Sequence, residues 1–125
     1  MFKKIAVAFA LTLGFAAAHA TPAEYCQKIA AAASKELPSE QDAVTRLVAV
    51  SCAGTVLHAD FVVHDLPNGT NVNWAKAAIV VRQSVCNQPD PYLNHGVSSI
   101  YSYRDVSGNF LNQLTIDRTD CQPAQ

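Results

Sequence analysis

Two histidines and an aspartate on one face of a predicted strand are well suited by type to chemistry. His58 and Asp60 are two residues apart and His64 follows four residues later, so all three share one face, and such side chains can bind a metal ion or transfer protons. At about 3.3 Å per residue, His58 and Asp60 lie about 7 Å apart, whereas His58 and His64 lie about 20 Å apart. At most two of these three side chains can therefore bind the same metal ion. The spacing therefore favours a solvent-facing strand surface, with His58 and Asp60 left as weak metal candidates.

His95 is a second candidate for acid–base chemistry, because histidine titrates near neutral pH and this one lies in a predicted loop before Gly96. No acid or nucleophile stands at a motif spacing from it, and the serines lie in no known nucleophile motif. The glycines are too scattered to form a phosphate-binding loop. The sequence therefore predicts a non-enzymatic protein without a cofactor. A small metal-dependent or hydrolytic enzyme that uses His58, Asp60 or His95 is the alternative.

Tyr101, Tyr103 and Arg104 are candidates for binding a partner, since tyrosine and arginine are enriched at binding hot spots. A strand that displays them can dock a protein or a glycan. In the other interpretation, Tyr101 and Tyr103 pack with Val97 beneath the first helix, and this interpretation is favoured.

All four cysteines lie after residue 20, at Cys26, Cys52, Cys86 and Cys121. An even number in a small exported domain predicts two disulfides. Three connectivities are open, and we predict Cys26–Cys52 with Cys86–Cys121, because each bond then joins neighbouring regions of one half of the chain. A zinc site or a catalytic thiol is disfavoured, because no CxxC pair occurs.

Length, charge and the first residues indicate one exported domain. The chain has 125 residues, of which 50% are hydrophobic and 15% are charged, with a net charge of −1. Lys3 and Lys4, the apolar run that follows and the Ala18-His19-Ala20 site are typical of a secretory signal peptide over residues 1–20. An uncleaved membrane anchor is the alternative, but the run is short for a spanning helix. Cleavage leaves a single domain over residues 21–125.

Removal of the signal peptide takes away two lysines and no acids, so the net charge becomes −3. A mildly acidic domain without a basic stripe is not expected to bind nucleic acid. No second long apolar run follows residue 20, so no stable membrane insertion is expected after cleavage.

Hydrophobic periodicity and turn residues predict two helices and four strands. The helices are Pro22 to Glu36 and Asn73 to Asn87, and the strands are Gln41 to Cys52, Thr55 to Leu66, Val97 to Asp105 and Phe110 to Asp117. The order α-β-β-α-β-β indicates an α+β domain with helices packed on a small antiparallel sheet.

Two of these segments are ambiguous. In residues 41–52, Val44, Val48 and Val50 keep the strand period on one face, with Leu47 and Ala49 on the other. Helical spacing fits that segment nearly as well. In residues 73–87, the β-branched run Ile79-Val80-Val81 makes a strand the alternative to a helix.

The C-terminal third also resembles a known group of proteins. The pattern runs from Cys86 through His95-Gly96-Val97, Ile100-Tyr101-Ser102-Tyr103-Arg104-Asp105, Gly108 and Leu114-Thr115-Ile116 to Asp120-Cys121. Residues 80–121 resemble the tails of small exported proteobacterial proteins labelled as quorum-sensing-regulated virulence factors. The resemblance implies a periplasmic or secreted α+β domain, and it supports the Cys86–Cys121 pairing and the terminal hairpin. It carries over no catalytic residue.

Together these features predict a periplasmic or secreted bacterial protein that acts by binding. The expected role is that of an accessory or virulence-associated factor, and the expected partner is a protein of unknown identity.

Overall fold

The computed structural model describes residues 20–67 and 71–122, so the predicted signal peptide lies outside the described residues, apart from Ala20. The helices are α1 (Pro22–Ser34) and α2 (Trp74–Cys86), and the strands are β1 (Ser39–Asp42), β2 (Thr45–Ala53), β3 (Val56–Val63), β4 (Ser98–Asp105) and β5 (Phe110–Ile116). Short 3-10 helices cover Tyr92–His95 and Arg118–Cys121. No helix among the described residues is long and apolar enough to cross a membrane.

Both α-helices begin at the cap residues that the sequence predicts. The Thr21 hydroxyl accepts a hydrogen bond from the Glu24 N–H at 3.2 Å, and the Glu24 carboxylate accepts one from the Thr21 N–H at 3.0 Å. This reciprocal box satisfies two backbone donors that a helix start otherwise leaves without partners. The Asn73 side chain caps α2 by a single hydrogen bond, which it accepts from the Lys76 N–H at 3.0 Å.

The five strands form one sheet in the order β1-β2-β3-β4-β5. The prediction of an α+β fold with two disulfides is confirmed, and both ambiguous segments have the predicted type. The element order differs by one strand. Asp42 accepts a hydrogen bond from the Val44 N–H at 2.8 Å, and the turn there separates β1 from β2. The single strand predicted from residue 41 is therefore two strands.

Three of the four strand pairs are antiparallel, as predicted, but β3 and β4 are parallel. Parallel neighbours need a long crossover, and α2 supplies it between β3 and β4. The crossover places both α-helices on one face of the sheet. The buried residues Leu57, Ala59 and Phe61 of β3 face that layer.

A β-bulge in β2 corrects the face assignment made from the alternation pattern. The pairing with β3 moves from Leu47↔Phe61 to Ala49↔Asp60, so Val48 is the extra residue. Leu47 and Val50 are therefore both buried, although an odd spacing separates them, and Val48 is 38% exposed. The prediction that Val48 and Val50 share a face is wrong, because strict alternation fails at a bulge.

The disulfides connect Cys26 to Cys52 and Cys86 to Cys121, as predicted. The first joins α1 to β2, and the second joins the end of α2 to the C-terminal 3-10 helix. Cys26 is fully buried in the core. The cysteines therefore fix each helix to the segment on which it packs.

Replacing Gly96 by alanine is expected to destabilise the protein more than replacing Gly108. Both glycines have a positive φ, of 81° and 88°, which costs an L-residue about 1–2 kcal/mol. A Cβ on Gly96 also meets Pro22 Cγ at 2.9 Å, whereas one on Gly108 meets nothing within 4 Å. Urea unfolding of the two variants measures the difference. Equal losses would contradict a close contact between the loop at Gly96 and the start of α1.

Candidate functional site

A groove of about 240 Å³ lies between α2 and the edge strand β5. Its walls are mostly apolar, because α2 presents Trp74 and the small residues Ala77 and Ala78 to it, and β5 presents Leu114. Because these alanine side chains are short, they leave the groove between α2 and β5 unfilled. Tyr103, which is only 2% exposed, lies at its base, with its ring 5.2 Å from that of Trp74.

Polar groups form the rim of the groove on the β5 side. Arg82 of α2 donates through Nη2 to the carbonyl of Thr115 at 2.9 Å, and its Nε lies 3.5 Å from the Asp120 carboxylate. The Gln113 N–H donates to the Asn112 side chain at 2.8 Å. Two backbone groups of this edge strand are therefore already satisfied by side chains. Such capping protects an edge from pairing with another strand.

His58 and Asp60 lie on the face of the sheet that the helices leave open. Ser51 and Ile100 flank His58 in register on the neighbouring strands. No group of three or more metal-ligating residues occurs within the described ranges. His58 and Asp60 are therefore neighbours on one face of β3, but no third metal-ligating side chain among the described residues joins them.

His95 is held against α1 instead. Its Nε2 lies 2.8 Å from the Asp90 carboxylate, and its ring stacks on that of Tyr25 at 4.0 Å. Since α1 packs on the other face of the sheet from His58, the structure does not bring His58 and His95 into one cleft. His95 positions the loop before β4 on the helix.

Tyr101 and Tyr103 are not displayed on the surface, so the hypothesis of an exposed binding strand is wrong for them. Tyr101 is 0% exposed, and its hydroxyl lies 3.2 Å from that of Tyr92, which also hydrogen-bonds Ser99 at 2.8 Å. Burial raises the pKa of Tyr92 to about 12, so this hydroxyl group stays neutral. The reason is position, because both tyrosines alternate on the helix-covered face of a central strand.

The favoured interpretation, in which Tyr101 and Tyr103 pack beneath the first helix, needs one correction for Tyr103. Arg104 differs from both tyrosines because it is exposed. Tyr103 packs against Trp74 of the second helix rather than beneath the first. Arg104 is exposed, as an outward position on β4 requires, and its guanidinium lies 5.8 Å from the centre of the Phe110 ring. Of the three predicted binding residues, only Arg104 is displayed, and it lies outside the groove lining.

The groove was not predicted from the sequence. Its helix wall belongs to the stripe Trp74, Ala77, Ala78 and Val81, which indicated only the packing face of α2. A tryptophan beside two alanines on that stripe was the available signal, because large next to small side chains on one face leave a concave surface.

The fold and the groove together define a small α+β domain with an open, mostly apolar groove between α2 and β5. No protein-family model and no curated protein matches the sequence. Three solved structures have a similar fold. The pilotin EpsS of the type II secretion system of Vibrio vulnificus superposes with a TM-score of 0.74 at 14% identity, covering 82% of this chain and 94% of that one.

The type II secretion pilotin AspS of Vibrio cholerae superposes with a TM-score of 0.69 at 18% identity, over 80% of this chain and 92% of that one. A protein of Pseudomonas aeruginosa described as secreted gives 0.66 at 16% identity, over 81% and 93%. At such identities the similarity establishes the fold alone.

Proposed function

We propose that this protein is an exported accessory protein of the bacterial envelope that binds another protein, in a role like that of a type II secretion pilotin. The observation that carries the proposal is the fold, which this chain shares over at least 80% of its length with two such pilotins. Whether this role is associated with virulence depends on which proteins are secreted with its help.

Export is supported by the two disulfides. Bonds of this kind form and persist in oxidising compartments such as the periplasm and are rare in the cytosol. All four cysteines of the chain are paired in this way. The predicted signal peptide over residues 1–20 gives the route.

The size of the α2–β5 groove favours a protein segment over a small molecule. Ligand pockets commonly enclose about 300–1,000 Å³, and this groove has about 240 Å³ and a mostly apolar lining. It can accept a few side chains from a partner that stays largely outside. Because Arg82 and Asn112 already cap groups of the β5 edge, an added strand would have to displace them. A helix satisfies its own backbone and suits the groove better.

Deletion of the gene in the source bacterium tests the proposal. We expect the export of type II secretion substrates into the medium to fall, and a plasmid copy of the wild-type gene to restore it. The enzymatic activity of secreted proteins in the culture supernatant, relative to that in the periplasm, is the measurement. Unchanged secretion in the deletion strain would contradict a pilotin-like role.

A charge placed in the groove is expected to reduce this function without unfolding the protein. Ala78 is half-exposed and lines the apolar wall of the groove, so Ala78→Glu places a carboxylate there. The cost of removing that charge from water opposes docking of an apolar segment. We expect complementation of the deletion strain to fall at least tenfold. Thermal unfolding should change little.

Gln83→Glu is the matched control, because it adds the same charge to an exposed position of the same helix outside the groove lining. It should complement fully. Full complementation by Ala78→Glu would remove the groove from the proposed site, while leaving the role of the protein to the deletion experiment.

A further inference from the structure

Both ring nitrogens of His64 face carboxylates. Nε2 lies 2.9 Å from Glu40 Oε2, and Nδ1 lies 2.8 Å from Asp65 Oδ2. A neutral imidazole has one N–H and one lone pair, so it can donate to only one of the two. The imidazolium donates to both at once. The geometry is therefore that of a charged histidine.

The groups that contact His64 belong to β1, to the turn between β1 and β2, and to the next residue in the chain. Glu40 lies on β1, 24 residues before His64, and Asp65 follows His64 at the point where the chain leaves β3. The His64 N–H also donates to the Val44 carbonyl at 2.8 Å, in the turn between β1 and β2. The His64 side chain is only 12% exposed, whereas its partners Glu40 and Asp65 are 49% and 84% exposed.

We propose that His64 is a pH-sensitive latch, which in its charged form fastens the edge strand β1 and the chain leaving β3 to the body of the sheet. This inference is independent of the proposed function. Two local features indicate that β1 and the chain after β3 need the contacts of His64 to stay in place. Strand β1 has four residues and an irregular register with β2. Asp65 has a φ of 55°, a left-handed conformation that is less favourable for a residue with a Cβ than for glycine.

Three charged side chains of the described chain act on the ring. Hydrogen bonds to Asp65 and then to Glu40 raise the pKa of His64 above its ordinary value of 6.5, while partial burial and Arg46 on β2 oppose them. Arg46 also forms an ion pair with Glu40 and, together with His64, lowers the pKa of that carboxyl. The Glu40 carboxylate therefore remains a charged partner across the range in which His64 titrates.

The sign of the pH effect follows from the direction of this shift. A histidine whose pKa is raised by folding contributes stability that is fully present below the unfolded value of 6.5. The contribution is lost as the pH rises through the folded-state pKa. Strand β1 should therefore be held firmly in mildly acidic medium and open more often in alkaline medium.

NMR titration of the exported protein tests the latch. We expect the ring ¹⁵N resonances of His64 to report a midpoint above 6.5, and Glu40→Gln and Asp65→Asn each to lower it. Hydrogen exchange of β1 amides, measured as a ratio to α1 amides to cancel intrinsic pH effects, should lose protection as His64 deprotonates. His64→Gln should make that ratio independent of pH.

His58→Gln is the matched control, since His58 lies on β3, six residues before His64, and its side chain forms no hydrogen bond or ion pair among the described residues. It should leave the protection ratio and its pH dependence unchanged. A His64 midpoint at or below 6.5 would overturn the proposal, as would a β1 protection ratio that does not change across the titration.

Discussion

Replacing Cys26 and Cys52 together by alanine is expected to lower the free energy of unfolding by about 3–4 kcal/mol. The disulfide closes a loop of 26 residues, and its loss returns chain entropy to the unfolded state. Cys26 is also fully buried between α1 and β2, so the variant loses packing at the same point. Urea unfolding of the variant and the wild type measures the change.

The pair Cys86 and Cys121 provides the comparison. Its loop is longer, at 35 residues, so the chain-entropy contribution is slightly larger, but both cysteines are only half-buried. We expect a loss of about 3–4 kcal/mol here too. A greater loss at Cys26 and Cys52 would measure the added packing. Losses of under 1 kcal/mol for both pairs would contradict the role of the disulfides as principal fastenings of this small domain.

Tyr101→Ala is expected to destabilise the protein by about 3–5 kcal/mol, the range found when a large buried aromatic is removed. Tyr101 is completely buried on a central strand, with its ring centre 5.2 Å from that of Phe61. The result separates two roles for this residue. A binding hot spot would leave folding intact and reduce only partner binding, whereas a core residue reduces stability itself. Thermal unfolding of the variant distinguishes them.

Removal of the hydroxyl groups alone sharpens this prediction. Tyr101→Phe deletes a hydrogen bond to Tyr92 and should cost about 1 kcal/mol. The Tyr103 hydroxyl is buried without a hydrogen-bond partner among the described residues, so Tyr103→Phe should be neutral or stabilising. Wild-type stability in Tyr101→Ala would show that the strand is not packed as described.

Local signals were sufficient for much of the fold. Thr21 before Pro22 and Asn73 before Trp74 mark the helix starts because a side-chain oxygen next to free backbone N–H groups acts over three residues. The hairpin of β4 and β5 is also local, with Gly108 in its turn. The resemblance of residues 80–121 to exported virulence-factor proteins stays a prediction, since similar folds were found among secretion pilotins.

The site depended on contacts that no local pattern contains. The groove exists because α2 crosses over the sheet and leaves β5 at an edge, so its two walls come from segments about 30 residues apart. The double contact of His64 requires Glu40 from another strand. His58, Asp60 and His95 suggested chemistry by type, but the sheet separates His95 from the other two.

By itself, the sequence determined the class of the fold, the starts of the helices and the residues that cross-link it. These follow from periodicity, from capping chemistry and from an even cysteine count in a small domain. Only the tertiary structure decided that Val48 is a bulge, that β3 and β4 run parallel, and that Tyr101 and Tyr103 face inward. The physical reason is that the strand period specifies alternate faces but not which face is covered. Coverage depends on where the helices pack, and that is set by contacts between residues distant in the chain.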